Sequence, residues 1–503
     1  MPDRPTATNW DLAGAIGLGT AFFWLYLATL CPTVFWYDSA ELVTAGATLG
    51  ITHPPGYPLY TWLAHLFTWL PVEPAIAVNA MSAAFAATAV AFVFLLGREL
   101  GLDRGPAAIG AAMLGTGSVF WGNAVVAEVY CPALAAAALV SYLLLRGIRE
   151  RRRTLTFLAA FIAGLSLGLH LSIATLGLGF AWLVWLNGRC HKRMAVAAIA
   201  ALLGSLVFVY IPLRASQDPA LNICDPSTLD QFAWYLSGGP YKRWFAEGLG
   251  SLDRASLLGL RLVEQLTWAG LALAVAGAVW LARARPRLGI GLALMVVGNV
   301  AVFFRYQAHD VEVFLLPTTM ILCCLVGAGA QSLIAWVTHV VPSNLGRHAA
   351  GASAVVLFAL PLYLGLANHA AADMSQFDET EPYLRSVAET LPPDAVIVNF
   401  ATPPEWKYYA VFGMYAQLLR GERNDVRHRI SPDLRTLARD VESGSPLYAY
   451  DDVPLLAHFF VLEPEGPLFR IVRPKPETAT RAPRKRATRA CDTFTALEVR
   501  DAP

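Results

Sequence analysis

The sequence predicts a polytopic α-helical membrane protein with a small α/β soluble domain at its C-terminal end. Three observations predict it. The 503 residues are 56% hydrophobic and 15% charged, whereas soluble chains carry about 25% charged residues. Eleven apolar runs approach the roughly 20 residues that cross a bilayer. Lys and Arg gather in every second connection between those runs, as the positive-inside rule requires of cytoplasmic loops.

The runs are 12–31, 75–96, 106–123, 127–145, 154–170, 172–187, 194–213, 262–281, 288–305, 313–335 and 349–368. Several middle ones are short enough to be half-helices. The first reads as a retained span, because Thr29-Leu30-Cys31 is a poor leader cleavage site and only Arg4 charges the region before it beyond the terminus. The basic connections hold Arg98 and Arg104; Arg146, Arg149 and Arg151 to Arg153; Arg189, Lys192 and Arg193; Arg283, Arg285 and Arg287; and, weakly, Arg347. The intervening ones hold Asp38, Glu41 and Glu73, then Glu128, His170, Asp218 with Asp225, and His309 with Asp310 and Glu312. The N-terminus is then cytoplasmic, and the polar edges and everything after residue 369 face outward. This predicts a multi-pass protein, in a bacterial inner (plasma) membrane, with its chemistry on the periplasmic or extracytoplasmic side.

Residues 1–370 form the expected membrane domain, with outer loops 32–74 and 214–258 and an amphipathic helix near Leu229–Leu236. Within 371–472, Asp394–Phe400, Asp425–Ile430, Leu447–Tyr450 and Leu468–Val472 read as strands alternating with helices over Glu405–Leu419 and Pro432–Val441, an α/β pattern. Residues 473–503 open on a Pro/Arg/Lys/Thr-rich stretch that reads as a disordered basic tail.

Composition also excludes. A formal net charge of +1 gives no electrostatic reason for a nucleic-acid partner. The seven cysteines have no metal-ligand spacing, and an odd count is no complete disulfide framework. Walker A, HExxH and Gly-x-Ser-x-Gly signatures are missing from the sequence, and the cytoplasmic loops leave no room for a nucleotide-binding domain. An enzyme working from outside then needs an activated donor that crosses membranes, and a lipid-linked phosphate sugar is one.

Asp38 and Glu41 follow the first span directly. Their spacing is close to a capping box, with Asp38 capping a helix and Glu41 folding back. Charges cost roughly 2.5–3.5 kcal/mol at the membrane centre, so these acids belong at the interface or in a wet cavity. His53-Pro54-Pro55-Gly56-Tyr57-Pro58 cannot be regular helix; it is a rigid re-entry turn in which His53 and Tyr57 are candidate phosphate or hydroxyl ligands. Glu128 and Tyr130 open an outer helix, where the macrodipole already favours an acid. His170 ends another, as a helix terminator or a ligand. Arg214 runs against the charge bias and fits either anion binding or an interfacial snorkel. Asn222 and Asp225 follow it. His309, Asp310 and Glu312 could supply ligands for a divalent metal.

Asp38-Ser-Ala-Glu41, followed by Leu49-Gly-Ile-Thr-His-Pro-Pro-Gly-Tyr-Pro-Leu59, resembles the signature of the protein O-mannosyltransferase-like membrane proteins. Ala127–Tyr130, Gly168–His170, Leu221–Pro226 and His309–Pro317 match in order. The resemblance implies a GT-C glycosyltransferase fold, a polyprenyl-phosphate sugar donor, mannose as one candidate sugar, and an acid of the first outer loop as catalytic. Asp38 would be the base that deprotonates the acceptor hydroxyl, and Glu41 would assist. Arg214, His53 or His170 would balance the donor phosphate; failing a Lys or Arg, a metal near His309 and Asp310 would do so. Protein, lipid and glycan acceptors all fit. A transporter of polyprenyl lipid or solute, or a non-catalytic scaffold, competes with this reading; acids at loop edges rather than at mid-membrane disfavour a transporter.

Overall fold

The computed structural model describes residues 8–188, 190–245, 252–308, 310–341, 346–399, 409–430, 434–450 and 454–476. Among them, eight helices are long and apolar enough to cross a membrane: Asn9–Ala28, Pro74–Glu99, Tyr130–Glu150, His191–Ala215, Asp253–Ala284, Pro286–Phe303, Leu316–Val340 and His348–Ala372. The other three expected spans are helical but short. Arg104–Gly115 has 12 residues, about 18 Å of rise, before Thr116 and Gly117 break it and Ser118–Ala124 resumes. Arg153–Ser166 and Leu171–Leu186 are likewise too short to span alone.

The helices pack through small residues, the means by which helices approach closely where lipid supplies no hydrophobic drive. A Cβ on Gly277 would lie 1.9 Å from the Leu325 carbonyl oxygen, and one on Gly329 2.0 Å from that of Leu273. A Cβ on Gly110 would lie 2.5 Å from the Cys323 oxygen. Interior side chains bridge helices: Tyr26 donates to the Gly115 carbonyl at 2.8 Å, and Trp121 Nε1 donates to Thr29 Oγ1 at 3.0 Å.

Beyond the last long helix the chain forms a five-stranded sheet of order β2-β1-β3-β5-β4: β1 Val396–Asn399, β2 Arg427–Ile430, β3 Leu447–Ala449, β4 Phe460–Glu465 and β5 Leu468–Pro474. β1 pairs in parallel with β2 and β3, and β5 runs antiparallel to both β3 and β4. Both faces of the central strands are apolar because both are covered. Val396 and Val398 pack with Leu434 and Leu437, while Ile397 packs with Val387 and Leu391. β4 was not read as a strand from the sequence; its Pro464 and its two glutamates mask it, and it is an edge strand, where proline is tolerated. Most of the basic tail, from residue 477 on, lies outside the described residues.

Candidate active site

Asp38 sits at the N-cap position of the helix Ser39–Thr48, but its side chain does not cap it. Its φ/ψ of −80°/−8° is already helical and its side chain makes no capping bond, whereas a cap acts from extended backbone. Nor does Glu41 fold back. Its Oε1 accepts from the His53 backbone N–H at 2.6 Å and from His53 Nδ1 at 2.9 Å. The capping-box expectation is corrected: Glu41 is held by the turn that follows the helix.

That turn is rigid for local reasons. Gly56 N–H donates to the His53 carbonyl at 2.9 Å, closing a four-residue turn around Pro54 and Pro55. Gly56 sits at φ +83°, where only glycine is unstrained, and a Cβ there would come within 2.8 Å of Ile211 and Tyr235. The Tyr235 hydroxyl donates to the Thr52 carbonyl from the expected loop helix Leu229–Leu236. Tyr57 then shares a 2.8 Å hydrogen bond with His53 Nε2.

Around this turn lies a cavity of about 560 Å³ lined by Asp38, Glu41, His53, Tyr57, Tyr130, His170 and Asp310, among others. Seven of the expected site residues therefore share one wall. Tyr57 stacks on His170 at 5.7 Å between ring centroids and 13° between planes, and Tyr130 lies 5.2 Å from the same imidazole. Tyr241, Phe245, Phe303, Tyr306 and Phe314 complete an aromatic lining.

The others go elsewhere. Arg214 Nε donates to the Leu49 carbonyl at 2.9 Å and Nη2 to that of Thr48 at 3.2 Å. It closes the C-terminus of the Ser39–Thr48 helix, where orphan carbonyls and the helix dipole both favour a cation. Its expected role as a phosphate ligand is corrected to a structural one. Asn222 Nδ2 donates to Asp225 Oδ1 at 3.3 Å, in a loop whose Asn222 forms a bridge with Ile51; neither residue lines the cavity. Cys224, between them, is disulfide-bonded. Glu128 lies behind the wall, its Oε2 accepting from the Val129 N–H at 3.3 Å. Glu312 lies 3.7 Å from Arg261 and off the cavity. His309 is outside the described residues.

One residue had no sequence signal. Lys242 lines the cavity from the short 3₁₀ turn Gly239–Trp244. A lysine in a 45-residue loop carries no spacing that marks it; only the folding of that loop over the turn at His53 brings it in.

Charge in the site is set by burial and by close neighbours. Asp38 has 34% of its side chain open to the cavity, while Glu41 and His53 have 6% and 9% exposed. Burial, with smaller contributions from Glu41 and Asp310 against the opposing pull of His53, pushes the Asp38 carboxyl up to about 6. Burial alone would lower the His53 pKa, but Glu41 and Asp38 together outweigh it and raise the imidazole to about 9. Burial pushes Glu128 well above the carboxylate range, with Asp38 and Asp310 adding to it. His170 is lowered to about 3 by burial and by His53. Because the Ser172 N–H donates to its Nδ1 at 3.1 Å, its proton is on Nε2. The site thus pairs an imidazolium, fixed by Glu41, with a carboxylate poised near neutrality.

Asp38, Glu41 and His53 each offer one ligand atom within 4.8 Å of the others, a donor set that a divalent cation could use. Here Nδ1 is bonded to Glu41 and Nε2 to Tyr57. A cation coordinated by His53 would take the place of one of these two hydrogen bonds.

Fold and site together define a polytopic α-helical membrane protein, with an acid–histidine site at one end of its helices. Residues 38–194 match the family model of the protein O-mannosyl-transferase TMEM260 N-terminal domain. The chain is 24% identical over 417 residues to protein O-mannosyl-transferase TMEM260 of Mus musculus, covering 77% of this chain and 59% of that one. Its Dictyostelium discoideum counterpart is 25% identical over 183 residues, 33% of this chain and 22% of that one. The chain thus spans less than two thirds of the length of these relatives. In structure it is similar to ArnT from Cupriavidus metallidurans bound to undecaprenyl phosphate, with a TM-score of 0.58 at 13% identity, over 93% of this chain and 98% of that one. The matched residues 38–194 include Asp38–Glu41 and the His53 turn, and the fold is similar to that of ArnT.

Proposed function

We propose that this chain is a membrane glycosyltransferase that moves a sugar from a polyprenyl-phosphate donor to an acceptor hydroxyl on the outer face of the membrane. The observation that carries the reading is the position of Asp38. It is a carboxylate with a raised pKa on the wall of a cavity at the end of the spanning helices, next to a fixed imidazolium. In the reaction, Asp38 takes the proton of the acceptor hydroxyl, and that oxygen bonds to the anomeric carbon. The bond from that carbon to the phosphate oxygen breaks, and polyprenyl phosphate leaves with the charge. A single displacement of this kind inverts the anomeric centre. Lys242 and His53 are the cations that would meet the phosphate as its charge grows.

A second cavity supports a lipid-linked donor. It holds about 470 Å³, and its lining is almost wholly apolar: Val140, Leu144, Phe180, Ala201 and Leu202 are on its walls. Ala174 lines both cavities. A polyprenyl tail lying there would deliver its phosphate to the Asp38 side. The relatives' names favour mannose as the sugar and a protein hydroxyl as the acceptor. Outward orientation is supported by the alternation of basic connections and by the disulfide at Cys224, since such bonds persist in oxidising compartments.

The test is transfer by the purified full chain in lipid nanodiscs, with polyprenyl-phosphate mannose and a Ser/Thr peptide or membrane glycolipid as acceptor. Asp38→Asn should lower the rate by about 10²–10⁴-fold while the protein accumulates and binds polyprenyl phosphate as before. Undiminished transfer by this variant would sink the reading. Polyprenyl-lipid flipping by wild type without any transfer would instead favour a transporter.

A further inference from the structure

The segment that carries Asp38 has no regular structure of its own between the helices Asn9–Ala28 and Ser39–Thr48. On one side it is held by the membrane helices: Asn79 Nδ2 donates to the Cys31 and Thr33 carbonyls at 2.8 and 3.0 Å, and the Cys31 N–H donates to the Val125 carbonyl at 3.0 Å. On the other it is held by residues more than 300 positions away. The Met374 N–H donates to the Thr29 carbonyl at 3.0 Å. Thr33 Oγ1 donates to Glu381 Oε1 at 2.6 Å, and Thr380 Oγ1 donates to the Val34 carbonyl at 2.9 Å. The Phe35 ring lies 4.9 Å from Phe377, and Trp36 Nε1 donates to Glu379 at 3.0 Å.

Arg420 fastens this seam. Its Nη1 and Nη2 grip the two oxygens of Glu381 at 2.8 and 2.7 Å, and Nη2 also reaches Glu73 at 2.9 Å. The Tyr415 hydroxyl donates to the same Glu73 oxygen at 2.6 Å. The guanidinium lies 5.0 Å over the Tyr415 ring and is only 21% exposed. A bidentate fork of this kind fixes geometry as well as charge, unlike an exposed ion pair. The helix bearing it, Tyr409–Arg420, packs along Ser39–Thr48. Tyr415 and Ala416 share a core with Ala40, Leu42 and Val43, and Met414 packs in the cluster that holds Ala45.

We infer that Arg420 is a positioning residue for Asp38, acting through Glu381, Thr33 and the 29–38 segment. The C-terminal domain is therefore part of the active site's frame. This rests on the sugar-transfer reading of Asp38. The physical reason is precision: a shift of about 1 Å in a reacting group can cost about 10²-fold in rate, and the side chains of Thr33 and Trp36, just before Asp38, bond to Glu381 and Glu379 of the C-terminal region. The donor contacts proposed above, Lys242 and His53, line the cavity, which none of Arg420, Glu381, Glu73 and Thr33 does, so they should survive loss of the clamp.

The experiment compares wild type, Asp38→Asn, Arg420→Gln, Arg420→Lys and Thr33→Val as full chains in nanodiscs, with polyprenyl-phosphate mannose as donor. Arg420→Gln should lower kcat by about 10–100-fold with donor KM within about twofold. Arg420→Lys, which keeps the charge and loses the fork, should fall between it and wild type. Thr33→Val leaves the Arg420–Glu381–Glu73 anchor in place and should still lower kcat several-fold; it decides the matter if Arg420→Gln does not accumulate. Hydrogen exchange, which needs no substrate, should quicken at residues 29–48 in both variants. Unchanged kcat and unchanged exchange at 29–48 would overturn the inference while leaving Asp38 as base, as would a loss confined to KM. Full transfer by Asp38→Asn would remove the reading of the site and the inference with it.

Discussion

His53 places its Nε2 3.8 Å from Oδ2 of Asp38. With Nδ1 bonded to Glu41 at 2.9 Å, the imidazole stands between two carboxylates. A cation in that place holds down a pKa that burial alone would push further up.

The pH dependence follows from the signs. As the proposed base, Asp38 would act only when ionised, so transfer should fall as pH drops through about 6, where its raised pKa lies. His53 lowers the Asp38 pKa, so His53→Gln should move this acid limb to higher pH. The measurement is kcat/KM against pH for both proteins. An acid limb that stays put or moves down would separate His53 from the ionisation of Asp38.

Lys242 should matter to the donor. Lys242→Met removes a cation from the cavity wall, and a charge-assisted contact is worth about 1.5–3 kcal/mol. Affinity for polyprenyl phosphate should fall by about 10–100-fold, measured by titration in nanodiscs. An unchanged affinity would place the phosphate away from this lysine.

Arg214 should not matter in that way. Its bonds to the Thr48 and Leu49 carbonyls make it a helix cap, worth about 0.5–2 kcal/mol by analogy with other caps. Arg214→Gln should lower the thermal midpoint by a few degrees while donor affinity stays within about twofold. A large loss of donor affinity at unchanged stability would restore the phosphate-ligand role expected from sequence.

Gly164 tests the packing. A Cβ there would lie 1.8 Å from the Ala201 carbonyl oxygen, and one on Gly204 2.1 Å from that of Phe161, so these two helices touch backbone to backbone. Gly164→Val should destabilise the protein by about 1–3 kcal/mol or more, read as a lower midpoint in thermal unfolding. An unchanged midpoint would mean that the two helices part without cost.

Some of the site was legible in the chain. The first-loop acids and the His53 turn stand out because their chemistry is local: the prolines and Gly56 dictate a turn wherever they occur, and charge next to an apolar run is conspicuous. Arg214 looked equally conspicuous and lies outside the cavity. Its partners, Thr48 and Leu49, are carbonyls more than 160 residues away, and nothing near Arg214 encodes them. Lys242 and Arg420 looked ordinary for the same reason.

By itself the sequence determined where the long apolar helices form, that they have the length and composition to cross a membrane, and which segment bears the acids. Each depends on properties that neighbours along the chain share: apolar length, charge at helix edges, and restricted φ. Only the tertiary structure decided which groups meet. It turned Glu41 away from a capping box and onto His53, sent Arg214 to a helix end, brought Lys242 to the cavity, and set Arg420 against the segment behind Asp38. Those pairings are chosen by distance in space, and the side chains involved would be equally at home, read locally, on any solvated loop.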